Sequence, residues 1–146
     1  MKTWIRFLVV TIILLAGLVA CDRGGSSNPS QNPEVARKAT ALMEALKAGD
    51  LDTALAQYDK GFFKMRSAAD WRQRLQAISD ERGPLHKYVL RRSQADTRFS
   101  GKFYILEYEG FYDGNKRVNH ILTLVRPVGK DEVQLVGHKL KPWQEE

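Results

Sequence analysis

Several things are scarce in these 146 residues. There is one cysteine, Cys21, so no intrachain disulfide can form. A thiol nucleophile or a zinc–thiolate centre would rest on that single residue. There are three histidines, His86, His120 and His138. No HExxH pair, no nucleophile elbow around a serine and no phosphate-cradling glycine loop occurs. The apolar runs are short. The stretch over residues 7–19 is uncharged and thirteen positions long, whereas a membrane-spanning helix needs about 20. The net charge is +6, but the basic residues form no long run, and nucleic-acid binding is not expected.

What is present begins with that apolar stretch. Lys2 and Arg6 precede it and small residues follow, the order of a secretory leader. It ends in Leu18-Val19-Ala20-Cys21, which resembles a bacterial lipobox. The resemblance implies a signal peptide over residues 1–20 and diacylglycerol on the Cys21 thiol. Acylation of the new amine, by palmitate or a similar chain, would follow cleavage. Two or three acyl chains hold a protein stably at a bilayer where one does not. Asp22 resembles the inner-membrane retention signal of enterobacterial lipoproteins. The expected address is therefore the cell envelope, facing the periplasm, with the inner membrane favoured over the outer.

Residues 23–31 are Gly/Ser-rich and polar, the composition of a flexible tether, so residues 21–32 are assigned to the lipidated cysteine and its linker. Residues 33–146 then form one domain with one core. Loss of Lys2 and Arg6 with the leader leaves 21 basic against 17 acidic residues, net +4, a charge compatible with anionic lipid nearby.

Within the domain, helical signals come first. Asn32 is placed to cap a helix with Pro33 at its first position, and Val35, Ala39, Leu42 and Leu46 recur at helical spacing before Gly49. Asp50 would cap a second helix carrying Leu51, Ala54, Leu55 and Tyr58. Ser67 to Asp70 has capping-box spacing, followed by a Trp71, Leu75, Ile78 stripe and a Gly83-Pro84 stop. After Pro84 the texture becomes β. Strands are expected over residues 85–98, 102–112, 117–126 and 132–141, with turns at Ser100-Gly101, Asp113-Gly114 and residues 127–131. Three N-terminal helices followed by a four-stranded antiparallel meander make an α+β domain.

This order, with Trp71, Leu75, Arg82-Gly83-Pro84-Leu85, Arg91, Tyr108, Phe111, Thr123-Leu124-Val125 and Val136-Gly137, resembles an uncharacterised family of bacterial envelope domains. That family shares the cone-shaped, cystatin-like fold of nuclear transport factor two. The resemblance implies a curved sheet wrapped around helices and carries no assigned activity. His138 stands where the family texture has an aromatic.

The candidate chemistry comes from strand pairing. With Asp113-Gly114 as a two-residue turn, Glu107 lies opposite His120, and a turn centred on Gly129 sets His120 opposite His138. Glu107, His120 and His138 would then form one row, a carboxylate orienting an imidazole for acid–base work. A one-residue change in the first turn would put Tyr108 there instead. Two histidines and a carboxylate would also suit a metal, but no ligand motif supports one. Neither a metal nor a cofactor is assigned. Tyr104, Tyr108 and Tyr112 alternate on one face and are expected to pack as core. His86 is expected at the surface, and Arg82 is expected to tie the third helix to the sheet. Arg72, Arg74, Arg91 and Arg92 are expected on solvated faces, with an anion or headgroup patch that includes Arg82 as the alternative. The function expected is a non-enzymatic binding or accessory module whose partners are the membrane and an envelope protein. The alternative is a small-molecule or catalytic domain with Glu107 and His120 in its pocket.

Overall fold

A computed structural model describes residues 31–143. The leader, Cys21, Asp22 and the tether through residue 30 lie outside the described residues. Helix α1 spans Pro33–Lys47, α2 Leu51–Ala56 and α3 Ala68–Arg82, with a 3₁₀ turn at Lys60–Lys64 between the last two. Strands β1 Lys87–Arg98, β2 Gly101–Phe111, β3 Arg117–Pro127 and β4 Gln134–Pro142 form one antiparallel sheet in the order β1-β2-β3-β4. The protein is an α+β domain. Among the described residues no helix is long and apolar enough to cross a membrane.

The helix starts follow from their caps. The Asn32 side chain accepts from the backbone N–H groups of Glu34 and Val35 at 3.1 and 3.3 Å. Asp50 accepts from Thr53 N–H at 2.9 Å, and Ser67 from Asp70 N–H at 3.0 Å. Each satisfies donors that a helix leaves unpaired in its first turn. At the end of α3, Gly83 takes φ +82°, and Lys116 Nζ donates to the Glu81 carbonyl at 2.7 Å. Arg82 pairs with neighbouring Glu81 at 3.2 Å. Lys116 thus ties the helix end to the β2–β3 loop, while Arg82 lies beside Val118 of β3 and Leu140 of β4.

Val35, Ala39, Leu42 and Met43 of α1 and Trp71 and Leu75 of α3 are buried against one side of the sheet. From the sheet come Tyr104, Leu106, Tyr108, Leu122, Leu124 and Leu135. The three alternating tyrosines are core, as expected, with Tyr104 2%, Tyr108 6% and Tyr112 7% exposed.

Register departs from expectation in a specific way. The β2–β3 turn is centred one residue late, on Gly114-Asn115, both with φ +61°. Two positive φ values are what a type I′ turn requires. Lys116 N–H bonds the Asp113 carbonyl at 3.2 Å while Tyr112 N–H bonds the Lys116 carbonyl at 2.9 Å. Tyr112 and Asp113 together therefore oppose Lys116. That extra residue pairs Phe111 with Arg117 and Tyr108 with His120. Glu107 pairs with Ile121. The expected Glu107–His120 pairing is corrected accordingly, and with a side-chain period of two Glu107 moves to the opposite face of the sheet.

Two β-bulges complete the sheet. One lies between Leu90 and Arg92, leaving Arg91 as the extra residue. The other lies between Thr123 and Leu124 on the ladder with β4. His120 pairs with Leu140 and His138 with Leu122, so the two histidines are diagonal neighbours and not directly opposite as expected. The offset is two residues, which preserves their common face.

At the β1–β2 hairpin Gly101 has φ +148°, and a Cβ there would run into the Arg126 carbonyl and lie 2.9 Å from Pro127 Cα. Gly101→Ala is expected to destabilise the fold by about 1–3 kcal/mol. Urea unfolding measures this, and an unchanged midpoint would contradict the close approach.

Candidate functional site

Two polar constellations stand on opposite sides of the sheet. On the helix side, four side chains form a buried chain. The Tyr58 hydroxyl meets His138 Nδ1 at 2.6 Å, and His138 Nε2 meets His120 Nδ1 at 3.1 Å. His120 Nε2 meets the Tyr112 hydroxyl at 2.8 Å. The structure thus brings His120 and His138 together, and Tyr108 onto the same face, but leaves Glu107 out. His138 also packs edge-on to Trp71, with centroids 5.4 Å apart, and Arg66 lies over the Trp71 ring at 5.0 Å.

Burial sets the charge state of this chain. It pushes His120 down to about 4. It holds His138 well below the ordinary imidazole value, with His120 and then Arg66 adding to the effect. It raises both tyrosines: Tyr58 is partly offset by Trp71 and Arg66, Tyr112 partly by Arg82. The Trp71 indole N–H lies close to Tyr58 without completing a hydrogen bond of ordinary geometry. All four groups are neutral near pH 7. Each then carries one proton, enough for three hydrogen bonds running in either direction. If both imidazoles were charged, two N–H groups would face each other across 3.1 Å.

Every ring nitrogen of the pair is already engaged, so a metal would have to break the chain to find a lone pair. No group of three His, Cys, Asp or Glu side chains converges among the described residues. A cavity of about 110 Å³ reaches His120 and Tyr112 between α1, α3 and the sheet, lined otherwise mainly by Leu46, Leu51, Leu75 and Leu85. No carboxylate lines it to polarise the imidazole. His86 is half-exposed and pairs with Asp113.

The open side of the sheet carries the second constellation. The bulge at Arg91 lets two consecutive arginines serve one face, where a regular strand would send them to opposite sides. Arg91 Nη2 lies 2.5 Å from Glu109 Oε2, and Arg117 Nη1 lies 3.1 Å from Glu109 Oε1. Glu109 is fully buried between the two guanidinium groups. Asn119 donates to Glu107. Around these residues lies an open groove of about 740 Å³, lined by Arg91, Arg92, Glu107, Asn119, Lys141 and Trp143, with Ile121 and Pro142 completing it. Arg92 leans on the neutral Gln94 amide, and Lys141 has no carboxylate partner among the described residues. Asn119 Oδ1 and the Trp143 indole N–H are recessed in this lining without hydrogen-bond partners among the described residues. Sequence reasoning noted Arg91 and Arg92 but not Glu109, Asn119, Lys141 or Trp143. The available signal was the Glu107, Glu109 alternation, which marks a polar face opposite the tyrosines.

No family model matches the chain, and no curated protein matches it by sequence. Among solved structures it is similar to Bd1075 of Bdellovibrio bacteriovorus, with a TM-score of 0.53 and 11% identity. The match covers 77% of this chain and 40% of that one, so the chain corresponds to less than half of the Bdellovibrio protein. At this identity the likeness is one of fold.

The histidine pair makes stability depend on pH. Its folded pKa values lie below the ordinary 6.5, so the unfolded state binds more protons as pH falls. Stability is complete above 6.5 and declines toward pH 4, by up to about 1.4 kcal/mol per pH unit for each histidine. The lowered carboxyls of Glu34 and Asp50, with ordinary values of 4.5 and 3.8, act mainly below pH 5. Urea unfolding between pH 6.5 and 5 should show this slope, roughly halved in His138→Gln. An equal slope in wild type and variant would refute the assignment.

Proposed function

We propose that the chain is a lipid-anchored envelope lipoprotein whose domain is a non-enzymatic binding module of cone-like, cystatin-like fold. In this reading the leader is residues 1–20, Cys21 carries the acyl chains and residues 22–32 tether a domain beginning at residue 33. Asp22 favours the inner membrane. The lipobox spacing supports the anchor. The α+β order and the bacterial fold likeness are compatible with the domain assignment.

The observation that carries the binding reading is the groove on the open side of the sheet. Its volume of about 740 Å³ falls within the roughly 300–1,000 Å³ of ligand sites, whereas the 110 Å³ cavity beside His120 lies below it. The groove presents Arg92 and Lys141 without carboxylate partners among the described residues, and Arg91 beside them shares Glu109 with Arg117. Its complement is an acidic group on an envelope component. Catalysis at the histidines is disfavoured. His120 is neutral, both ring nitrogens of each histidine are engaged, and Glu107 faces the other way.

Two measurements test this reading. Wild-type protein should incorporate labelled palmitate and sediment with membranes, and Cys21→Ser should do neither. Unlabelled, soluble wild type would sink the anchor. Arg92→Glu combined with Lys141→Glu should lower binding of acidic envelope components at least tenfold while amide NMR dispersion stays native. Unchanged binding would remove the groove from the function.

A further inference from the structure

Among the described residues three large hydrophobic side chains stand in solvent: Met65, Phe99 and Val128. Two of them share one end of the sheet. Phe99 lies in the tight turn between β1 and β2 and is 103% exposed; Val128, in the β3–β4 turn, is 71% exposed. Val128 N–H donates to the Ser100 carbonyl at 3.2 Å, and Gly101 pairs with Pro127, so the two turns form one tip. Lys102 and Lys130 flank it without carboxylate partners among the described residues, against Asp131 alone. Three other basic residues near the tip are paired. Arg98 bonds Asp96, Arg126 bonds Glu34 and Lys38 faces Glu132.

The start of the domain lies at the same end. Glu34 at the head of α1 accepts from Arg126 at 2.7 Å and from Val133 N–H at 2.8 Å. Asn32 reaches the Tyr104 hydroxyl at 3.4 Å. The chain therefore enters the fold beside the apolar tip. Eleven residues, 22–32, separate that entry from Cys21. Eleven residues span at most about 40 Å, so an anchor at Cys21 would keep the tip within reach of the lipid surface.

We propose that the Phe99–Val128 tip is a second membrane contact, inserting at the headgroup level of a bilayer with anionic lipid while Lys102 and Lys130 meet the headgroups. The proposal rests on the lipoprotein reading for its proximity to membrane. An exposed aromatic ring beside lysines is suited to an interface, where an apolar body and a charged flank are both satisfied. The consequence is orientation. β1 runs away from the tip, and Lys87 at its other end lies roughly 35 Å distant at the usual rise per residue. Arg92 stands about half-way along, so the groove would be held roughly 20 Å above the bilayer, opening sideways into the periplasm.

The test uses the full acylated chain in vesicles of phosphatidylethanolamine with about one-third phosphatidylglycerol, the regime in which anionic surface charge acts on nearby lysines. Acylation consumes the Cys21 thiol, so Val128→Cys and Lys87→Cys each supply one free thiol for a nitroxide label. Collision with oxygen and with a water-soluble nickel complex reads depth. Position 128 should be shielded from nickel and accessible to oxygen, and position 87 should remain fully aqueous. Adding Phe99→Ser should return position 128 to water, and replacing the anionic lipid with phosphatidylcholine should reduce its shielding several-fold. Equal aqueous accessibility at both positions overturns the proposal, as does shielding at 128 that is indifferent to Phe99→Ser. Mass spectrometry of the same sample reports acylation. An unacylated chain would sink the tether alone, and the label at 128, read at high lipid concentration, would still decide whether the tip enters the bilayer.

Discussion

The register of the β2–β3 hairpin is the constraint on which the rest depends. One extra residue before the Gly114-Asn115 turn pairs Tyr108 with His120, which sends the even-numbered residues of β2 toward the helices. Tyr104, Leu106 and Tyr108 then join the core, while Glu107 and Glu109 leave it. A hairpin one residue shorter would set two carboxylates against the aromatic cluster. Burying a charge without a partner costs several kcal/mol, far more than a turn can recover. Hydrophobic pattern and turn geometry therefore agree only in the observed register.

That division creates two chemically different sides. The Tyr58–His138–His120–Tyr112 chain lies inside, neutral and internally hydrogen-bonded, and it specifies how the segment after α2 meets β3 and β4. Such a network costs little when complete and much when one member is missing. Outside, Glu109 is also fully buried, held between Arg91 and Arg117. The open face thus has a buried carboxylate beneath its cations, a foundation for the arginines that border the groove.

The fold class was legible because its signals are local. Asn32, Asp50 and Ser67 sit where caps belong, Gly83-Pro84 stops α3, and the β texture after it is continuous. The candidate site was half legible. His120 and His138 share a face because an error of two residues preserves strand parity. Glu107 was misplaced because an error of one does not, and Asp113-Gly114 is as good a turn dipeptide as the Gly114-Asn115 actually used. The groove was hidden for a different reason. It depends on the bulge at Arg91, and nothing in Leu90-Arg91-Arg92 announces a bulge to a reader counting in twos.

That bulge has a second consequence, for solubility. β1 is an edge strand, and its unpaired backbone groups would offer a template to any extended chain nearby. The kink at Arg91 breaks the edge into two short lengths, and Arg91, Arg92, Asp96 and Arg98 set charges along it. A copy of the protein approaching edge-on would meet a bent, charged border instead of a flat ladder. If the domain is held at a membrane as proposed, where neighbours are confined to two dimensions, that border helps keep crowding from becoming aggregation.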